Sequence, residues 1–423
     1  MSEADFASVF GAAWRSAAEV VAEIPDGAVL TTSLVEPTTL LTALSQTQTS
    51  GRAVVAVAAM GTLALGQTGR FSIVTAFASP VSTALAEQGV CEYLPGVFSD
   101  AERLFGALEA DCVLLRLSAP DARGLCSYGW ASAFSPHLFE QARQRGIPIL
   151  VEIDPSMPQT RSGREVPVSQ ITAACLAEGD SASDEAGPPS RNVDAIAGHL
   201  DPLVPDGSTI QVGIGSVPDA AIERLTGSGY GIHTEVLGRG LARLIDSGRA
   251  DGRQKSEDPG MAVCTIASVD PEVRKLVEDP ERAEVRASSD VLDPRVIARH
   301  SQLRCINSAL AVDLRSQVNA ETLGWSQVAG VGGQLDFFRG AGMAQDGLRI
   351  IVLGSSTSRG ESRIVASHAP GSVVTATRYD VDVVITEHGV AWLKDQTDES
   401  RARALIEVAD PAHREALFRA RFA

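Results

Sequence analysis

Glu235, in the stretch GIHTEVLGRG (231–240), places a carboxylate just past a short apolar run and just ahead of glycines, with His233 and Thr234 beside it. An acid at the end of a strand can point into the rim where the GIGS turn presents its amides, or it can pair with Arg239 four residues on. Upstream, STIQVGIGSVPDAAIERL carries Gly213 and Gly215, then Ser216 as a candidate helix N-cap and Pro218 in the first turn, a sequence able to cradle an anion. The complete GxGxxG dinucleotide fingerprint is absent. Downstream, AGVGGQLDF offers Gly330, Gly332 and Gly333, whose uncovered amides suit either close approach by a ligand or a tight hairpin. Asn307 and Asn319 supply neutral donors nearby, and ITEHGVAWL repeats the pattern of apolar strand, Thr, Glu and Gly with Glu387 and His388. Other chemistries lack their residues: there is no GxSxG elbow, no phosphate loop, and no HxxxH or HExxH pair among the seven histidines. The six cysteines are scattered without ligand spacing, which reads as reduced, buried thiols and no metal.

These residues need a scaffold, and the chain shows its rhythm. AVVAVAAM (53–60), CVLLRLSA (112–119), IPILVEID (147–154), STIQVGIG (208–215), LRIIVLGSS (348–356) and DVDVVITEHG (380–389) are short apolar runs that read as strands buried on both faces. Helical patterns over 135–146, 218–229 and 399–410 alternate with them, so the class is α/β with mainly parallel sheets. Such sheets bind ligands at the carboxyl ends of their strands, where the candidate residues fall. The segment LAEGDSASDEAGPPSRN (176–192) has a linker's composition, which divides the chain into residues 1–185 and 186–423. SGRADGRQKSEDPG (247–260) reads as a surface excursion of the second half. A Pro-Asp-Gly before a strand in each half, at 25–27 and 205–207, hints at two copies of one fold. A net charge of −17 without a basic run argues against nucleic acid as a partner, and no apolar segment is long enough to span a bilayer. The acidic start, MSEADFASVFGAAW, has neither basic leader nor signal core, and the expectation is a cytoplasmic protein.

In that order, STIQVGIGSVPDAAIERL, GIHTEVLGRG, INSALAVDL, AGVGGQLDFFRGA, SRIVASHAPGSVVTATRYDVDVVITEHGVAWL and RARALIEVADPAHREAL resemble the acetyl-CoA hydrolase/transferase family, which includes 4-hydroxybutyrate and butyrate–acetate CoA-transferases. CEYLPGVFSD, SAPDARGLCSYG and EIDPSMPQTRSG extend the resemblance into the first half. It implies two related α/β domains of the CoA-transferase type with the active site at their interface, the carboxylate and acyl side on the first. It also implies an acyl-CoA:carboxylate CoA-transferase working on an acyl-CoA and a small carboxylic acid, with no permanently bound cofactor, as a homodimer. An acyl-CoA hydrolase using the same glutamate and a non-catalytic CoA-binding protein are the alternatives. By the same resemblance Glu235 is the nucleophile, and Asn307, Gly330, Gly332 and Gly333 stabilise an oxyanion or contact CoA. Glu387, with His388 beside it, lines the acceptor-carboxylate site. The chain departs from the family pattern at Gly238-Arg239 in place of Ser-Asp, at His388 for tyrosine, at Asp154 for asparagine and at GSST (354–357), which lacks a proline.

Overall fold

A computed structural model describes residues 2–106, 109–179 and 192–423. It resolves into two compact units, one of Met1–Ser183 with Thr265–Asp290 and Gln327–Gly330, the other of Asp184–Cys264, Val291–Ser326 and Val331–Ala423. The cut expected at 185/186 lies outside the described residues, as does most of the linker stretch. Two segments from the second half of the sequence pack with the first unit, so a single cut does not describe the division.

In the first unit, β1 (Ala28–Thr32), α1 (Thr38–Ser45), β2 (Gly51–Val57), α2 (Met60–Gln67), β3 (Phe71–Phe77), α3 (Pro80–Glu87), β4 (Cys91–Tyr93), β5 (Cys112–Ser118), α4 (Ser135–Arg145), β6 (Ile149–Asp154) and β7 (Ala173–Leu176) follow one another. The strands form one parallel sheet in the order β4-β3-β2-β1-β5-β6-β7. Leu30, Val55, Ile73, Leu114 and Leu150 pack with Leu40, Leu41, Leu44, Leu65 and Leu85 in one fully buried cluster, which is why these strands read as continuous apolar runs. A buried ionic group lies among these strands. Arg116 of β5 sits opposite Glu152 of β6, its guanidinium 3.1 Å from Glu152 and, through Nε and Nη2, 3.0 and 2.7 Å from Asp154. Asp154 and Glu152 therefore give one guanidinium two carboxylates to balance. Burial pushes the Glu152 carboxyl up to about 7, against the pull of Arg116.

The second unit runs through β8 (Thr209–Val212), α5 (Ser216–Ile222), β9 (Gly231–Ile232), α6 (Arg239–Asp246), β10 (Leu303–Asn307), α7 (Gln334–Met343), β11 (Leu348–Val352), β12 (Val383–Thr386), β13 (Gly389–Trp392) and α8 (Asp398–Val408). Its sheet has the order β9-β8-β10-β11-β12-β13, parallel except for the last pair. The two units repeat one turn. Gly27 and Gly207 adopt φ of +79° and +77° ahead of β1 and β8. The preceding aspartates, Asp26 and Asp206, accept from the amides of Ser50 and Ser228 at 2.8 and 2.7 Å. The helix expected over 218–229 is shorter, starting at Ser216 with Gly215 as its N-cap and ending at Ile222. Its intended second half is held as loop, because Asp201 and Asp206 accept from the amides of Thr226 and Ser228. The 328–333 stretch is no hairpin but the lead-in to α7. All six cysteines are buried free thiols. Among the described residues no helix is long and apolar enough to cross a membrane.

A carboxyl whose folded pKa is raised binds a proton that the unfolded chain releases, so its contribution to stability is lost as pH climbs from the ordinary carboxyl range through about 7. For Glu152 that loss amounts to about 3 kcal/mol at most. We expect the melting temperature to fall between about pH 5 and pH 8, and Glu152→Gln to flatten part of that slope. Equal slopes in scanning calorimetry of the two proteins would contradict the raised value.

Candidate active site

The parallel strands of the second unit end on one edge of the sheet, and the candidate residues of the second unit line that edge. Glu235 lies three residues beyond β9, Gly213 follows β8, Asn307 closes β10, and Glu387 follows β12. Thr234 fixes the loop after β9, its amide donating to Val263 O at 3.0 Å and its hydroxyl bridging Val212 and Val236. Glu235 precedes the helix that begins at Arg239, so the two do not share a helical face.

The Glu235 side chain is buried, at 8% exposure, and the Gly333 amide donates to its Oε2 at 2.7 Å. Gly333 is the N-cap of α7, so the carboxylate meets the positive end of that helix. The two glycines here are required for different reasons. Gly332 adopts φ +57°, a left-handed conformation. At Gly333 a Cβ would lie 2.8 Å from Glu235 Oε2 and 2.5 Å from Leu292 Cδ2, so a side chain has no room. Burial pushes the Glu235 carboxyl up to about 7; the Gly333 hydrogen bond opposes this and the charge of nearby Asp336 adds to it. A carboxylate stripped of water and held by one strong donor is a reactive group near neutral pH.

Asn307 is buried and exchanges hydrogen bonds with Gln211: its Nδ2 donates to Gln211 Oε1 at 2.9 Å, and Gln211 Nε2 donates back at 3.2 Å. Each amide nitrogen keeps a second hydrogen. Gly213 makes room for this pair, because a Cβ there would collide with Asn307 Oδ1. Gln211 was not singled out from the sequence, although one polar residue inside the apolar run STIQV was the available signal. Gly215 caps α5 at φ +153°. Gly330 belongs to the first unit, where a Cβ would stand 2.7 Å from Cδ1 of Phe77. Asn319 serves its own backbone, its Oδ1 accepting from the amides of Glu321 and Thr322.

Glu387 follows a strand well removed from that of Glu235 in the same sheet. Strand β12 stands four places from β9, roughly 19 Å at about 4.8 Å per strand. Its carboxylate accepts from the amide and hydroxyl of Ser355 at 2.9 and 2.8 Å and from Asn192 Nδ2 at 2.6 Å, which fastens the loop after β11 to the loop after β12. His388 stands half-buried, its Nε2 3.9 Å from Glu387 Oε1.

The 4-hydroxybutyrate coenzyme A transferase of Clostridium kluyveri is 35% identical to the chain over 343 residues, covering 79% of each protein. The chain belongs to the acetyl-CoA hydrolase/transferase family. The family's C-terminal domain model matches residues 271–421. Butyryl-CoA:acetate CoA-transferase of Anaerostipes caccae is 29% identical over 73% of the chain and 71% of its own length. Among solved structures, RipA from Yersinia pestis superposes with a TM-score of 0.90 at 28% identity, covering 99% of the chain and 98% of RipA. A 4-hydroxybutyrate CoA-transferase from Porphyromonas gingivalis does so with 0.79 at 25%, covering 98% of each. These relatives place this family member among the CoA-transferases.

One departure from the family pattern has a physical reading. Gly238-Arg239, the departure noted in the sequence, stands at the start of α6. Asp219 of α5 brings an acid to this helix start, accepting from the Gly240 amide at 3.1 Å. A Cβ at 238 would stand 2.9 Å from Asp219 Oδ1, so the glycine and the borrowed carboxylate go together. Burial raises the Asp219 carboxyl above its ordinary range.

Gly333→Ala should destabilise the protein by about 1–3 kcal/mol in urea titration and displace the carboxylate, whereas unchanged stability would mean that the close approach is not there. Glu387→Ala should likewise lower stability by about 1–3 kcal/mol, because the Ser355 and Asn192 donors lose their acceptor. Unchanged stability with a raised KM for a carboxylic acid would instead make Glu387 a substrate contact.

Proposed function

We propose that this protein is an acyl-CoA:carboxylate CoA-transferase acting through covalent intermediates on Glu235. The observation that carries the reading is the buried carboxylate of Glu235, accepting from the amide at the start of α7. Glu235 Oε attacks the carbonyl carbon of an acyl-CoA; the carbonyl π pair moves onto oxygen, returns, and expels CoA thiolate, leaving a mixed anhydride. The thiolate then adds to the glutamyl carbon and displaces the substrate's carboxylate, leaving a glutamyl-CoA thioester. An incoming carboxylic acid runs the two steps in reverse. One thioester is exchanged for another, so the bond energy is conserved without ATP.

The residues on the strand edge suit the charges that develop. When thiolate adds to the glutamyl carbon, the glutamyl oxygen becomes an oxyanion, and the Gly333 amide already donates to that oxygen in the resting state. The Asn307–Gln211 pair offers neutral donors held in place by their mutual bonds, which suits the oxyanion of the acyl carbonyl. Burial of Glu235 keeps water from the anhydride, favouring transfer over hydrolysis. The relatives act, by their names, on short acyl and hydroxyacyl thioesters, which supports a short-chain carboxylate as substrate.

Incubation with acetyl-CoA and no acceptor should leave a CoA adduct on the peptide containing Glu235, detected by mass spectrometry. Glu235→Gln should form none and lose activity by a factor of about 10⁴ or more, as expected for removal of a covalent nucleophile. Added butyrate should yield stoichiometric butyryl-CoA. Release of free CoA at the same rate with or without the acid would make the protein a hydrolase.

A further inference from the structure

Resting on Glu235 as the nucleophile, we propose that His233 is a positioning residue that holds the nucleophile against the glycine turn through a closed chain of contacts. The imidazole is buried, at 1% exposure, with Nε2 2.8 Å from the carbonyl oxygen of Val291. A carbonyl only accepts, so Nε2 carries the hydrogen. The next residue, Leu292, has its Cδ2 against Gly333, 2.5 Å from where a Cβ would stand. Gly333 in turn donates to Glu235, two residues along from His233. The contacts therefore close on themselves: His233 to Val291, Leu292 to Gly333, Gly333 to Glu235.

Packing holds the imidazole in this role. Its ring lies 4.3 Å from that of His300 and meets the ring of Phe337 edge-on at 6.0 Å. Phe337 sits one turn beyond Gly333 on α7, so that helix touches both His233 and Glu235. His300 is fully buried, and among the described residues neither of its ring nitrogens has a hydrogen-bond partner. Burial, with the ammonium of Lys255 adding to it, lowers its pKa to about 4, so near neutral pH it is an uncharged packing surface. Lys255 comes from the polar 247–260 stretch expected to be a surface excursion, yet it is buried. Its Nζ donates to Ile232 O at 3.0 Å and to Met261 O at 2.7 Å, pinning the peptide that enters His233. Imidazole, ammonium and leucine thus brace the short loop that ends in the nucleophile, whose attack geometry tolerates little error.

The test compares the rate of glutamyl-CoA adduct formation in rapid-quench mass spectrometry with the KM for acyl-CoA, alongside melting curves. His233→Phe keeps a ring in the packing and removes the donor; His233→Gln keeps a donor near the Nε2 position. We expect His233→Phe to form the adduct at least about tenfold more slowly with KM changed less than about threefold, and His233→Gln to recover most of the rate. Leu292→Ala keeps every hydrogen bond but removes the brace beneath Gly333, and it should slow the same step; it carries the test if His233→Phe fails to melt cooperatively. Adduct formation at the wild-type rate in His233→Phe or Leu292→Ala overturns the positioning role. Absence of any adduct on Glu235 in the wild-type protein overturns the nucleophile assignment instead.

Discussion

Everything at the strand edge of the second unit answers to one contact, the amide of Gly333 donating to the buried carboxylate of Glu235. A carboxyl moved from its ordinary range to about 7 is costly to ionise in the folded chain, by about 3 kcal/mol. The surrounding fold must supply that energy elsewhere, and it does so with rigid elements. A parallel sheet aims β9 at the start of α7, glycines remove every side chain that would stand between carboxylate and amide, and Leu292 backs the turn. Functional sites store instability of this kind because a carboxylate comfortably solvated would be a poor nucleophile.

The sheet also divides its edge by task. Near β9 and β8 lie groups that could face reacting atoms: Glu235, and the Asn307–Gln211 pair made possible by Gly213. At the far end, Glu387 accepts from Ser355 and Asn192, contacts that join two loops. Both glutamates follow strands and both sit in a Thr-Glu context, yet among the described residues one accepts from the Gly333 amide alone and the other from three donors of Ser355 and Asn192. The first unit shows a third use of buried acids, with Glu152 and Asp154 sharing Arg116 inside the sheet.

Much of this was legible in the sequence. Strands buried on both faces announce themselves as unbroken apolar runs: β5, β6, β8, β11 and β12 all fall within the runs that indicated them, and β2 starts two residues ahead of its run. Glu235 and the glycines of AGVGG stood out through their order among the family-like motifs, since local pattern alone left a surface pair with Arg239 and a tight hairpin open. The partners of Glu387 were not legible, since local pattern carries no information about which donors a fold will deliver to a carboxylate from residues 32 and 195 positions away. Leu292 and Lys255 were invisible for the same reason, their importance coming from partners remote in sequence, while Gln211 left only the signal of a polar residue inside an apolar run. The helix over 218–229 failed because aspartates at 201 and 206 compete for its amides, a tertiary effect that overrides helical period. Gly238-Arg239 became intelligible only with Asp219 beside it.

The most direct measurement is the ionisation of Glu235 itself, followed by carbon-13 NMR on protein labelled at the glutamate side-chain carboxyl, with Glu235→Gln identifying the resonance by its disappearance. A midpoint near 7 is expected, set by burial and the charge of Asp336 against the Gly333 amide. A midpoint in the ordinary carboxyl range, at about 4, would mean that Glu235 is solvated, and the desolvated nucleophile would have to be abandoned.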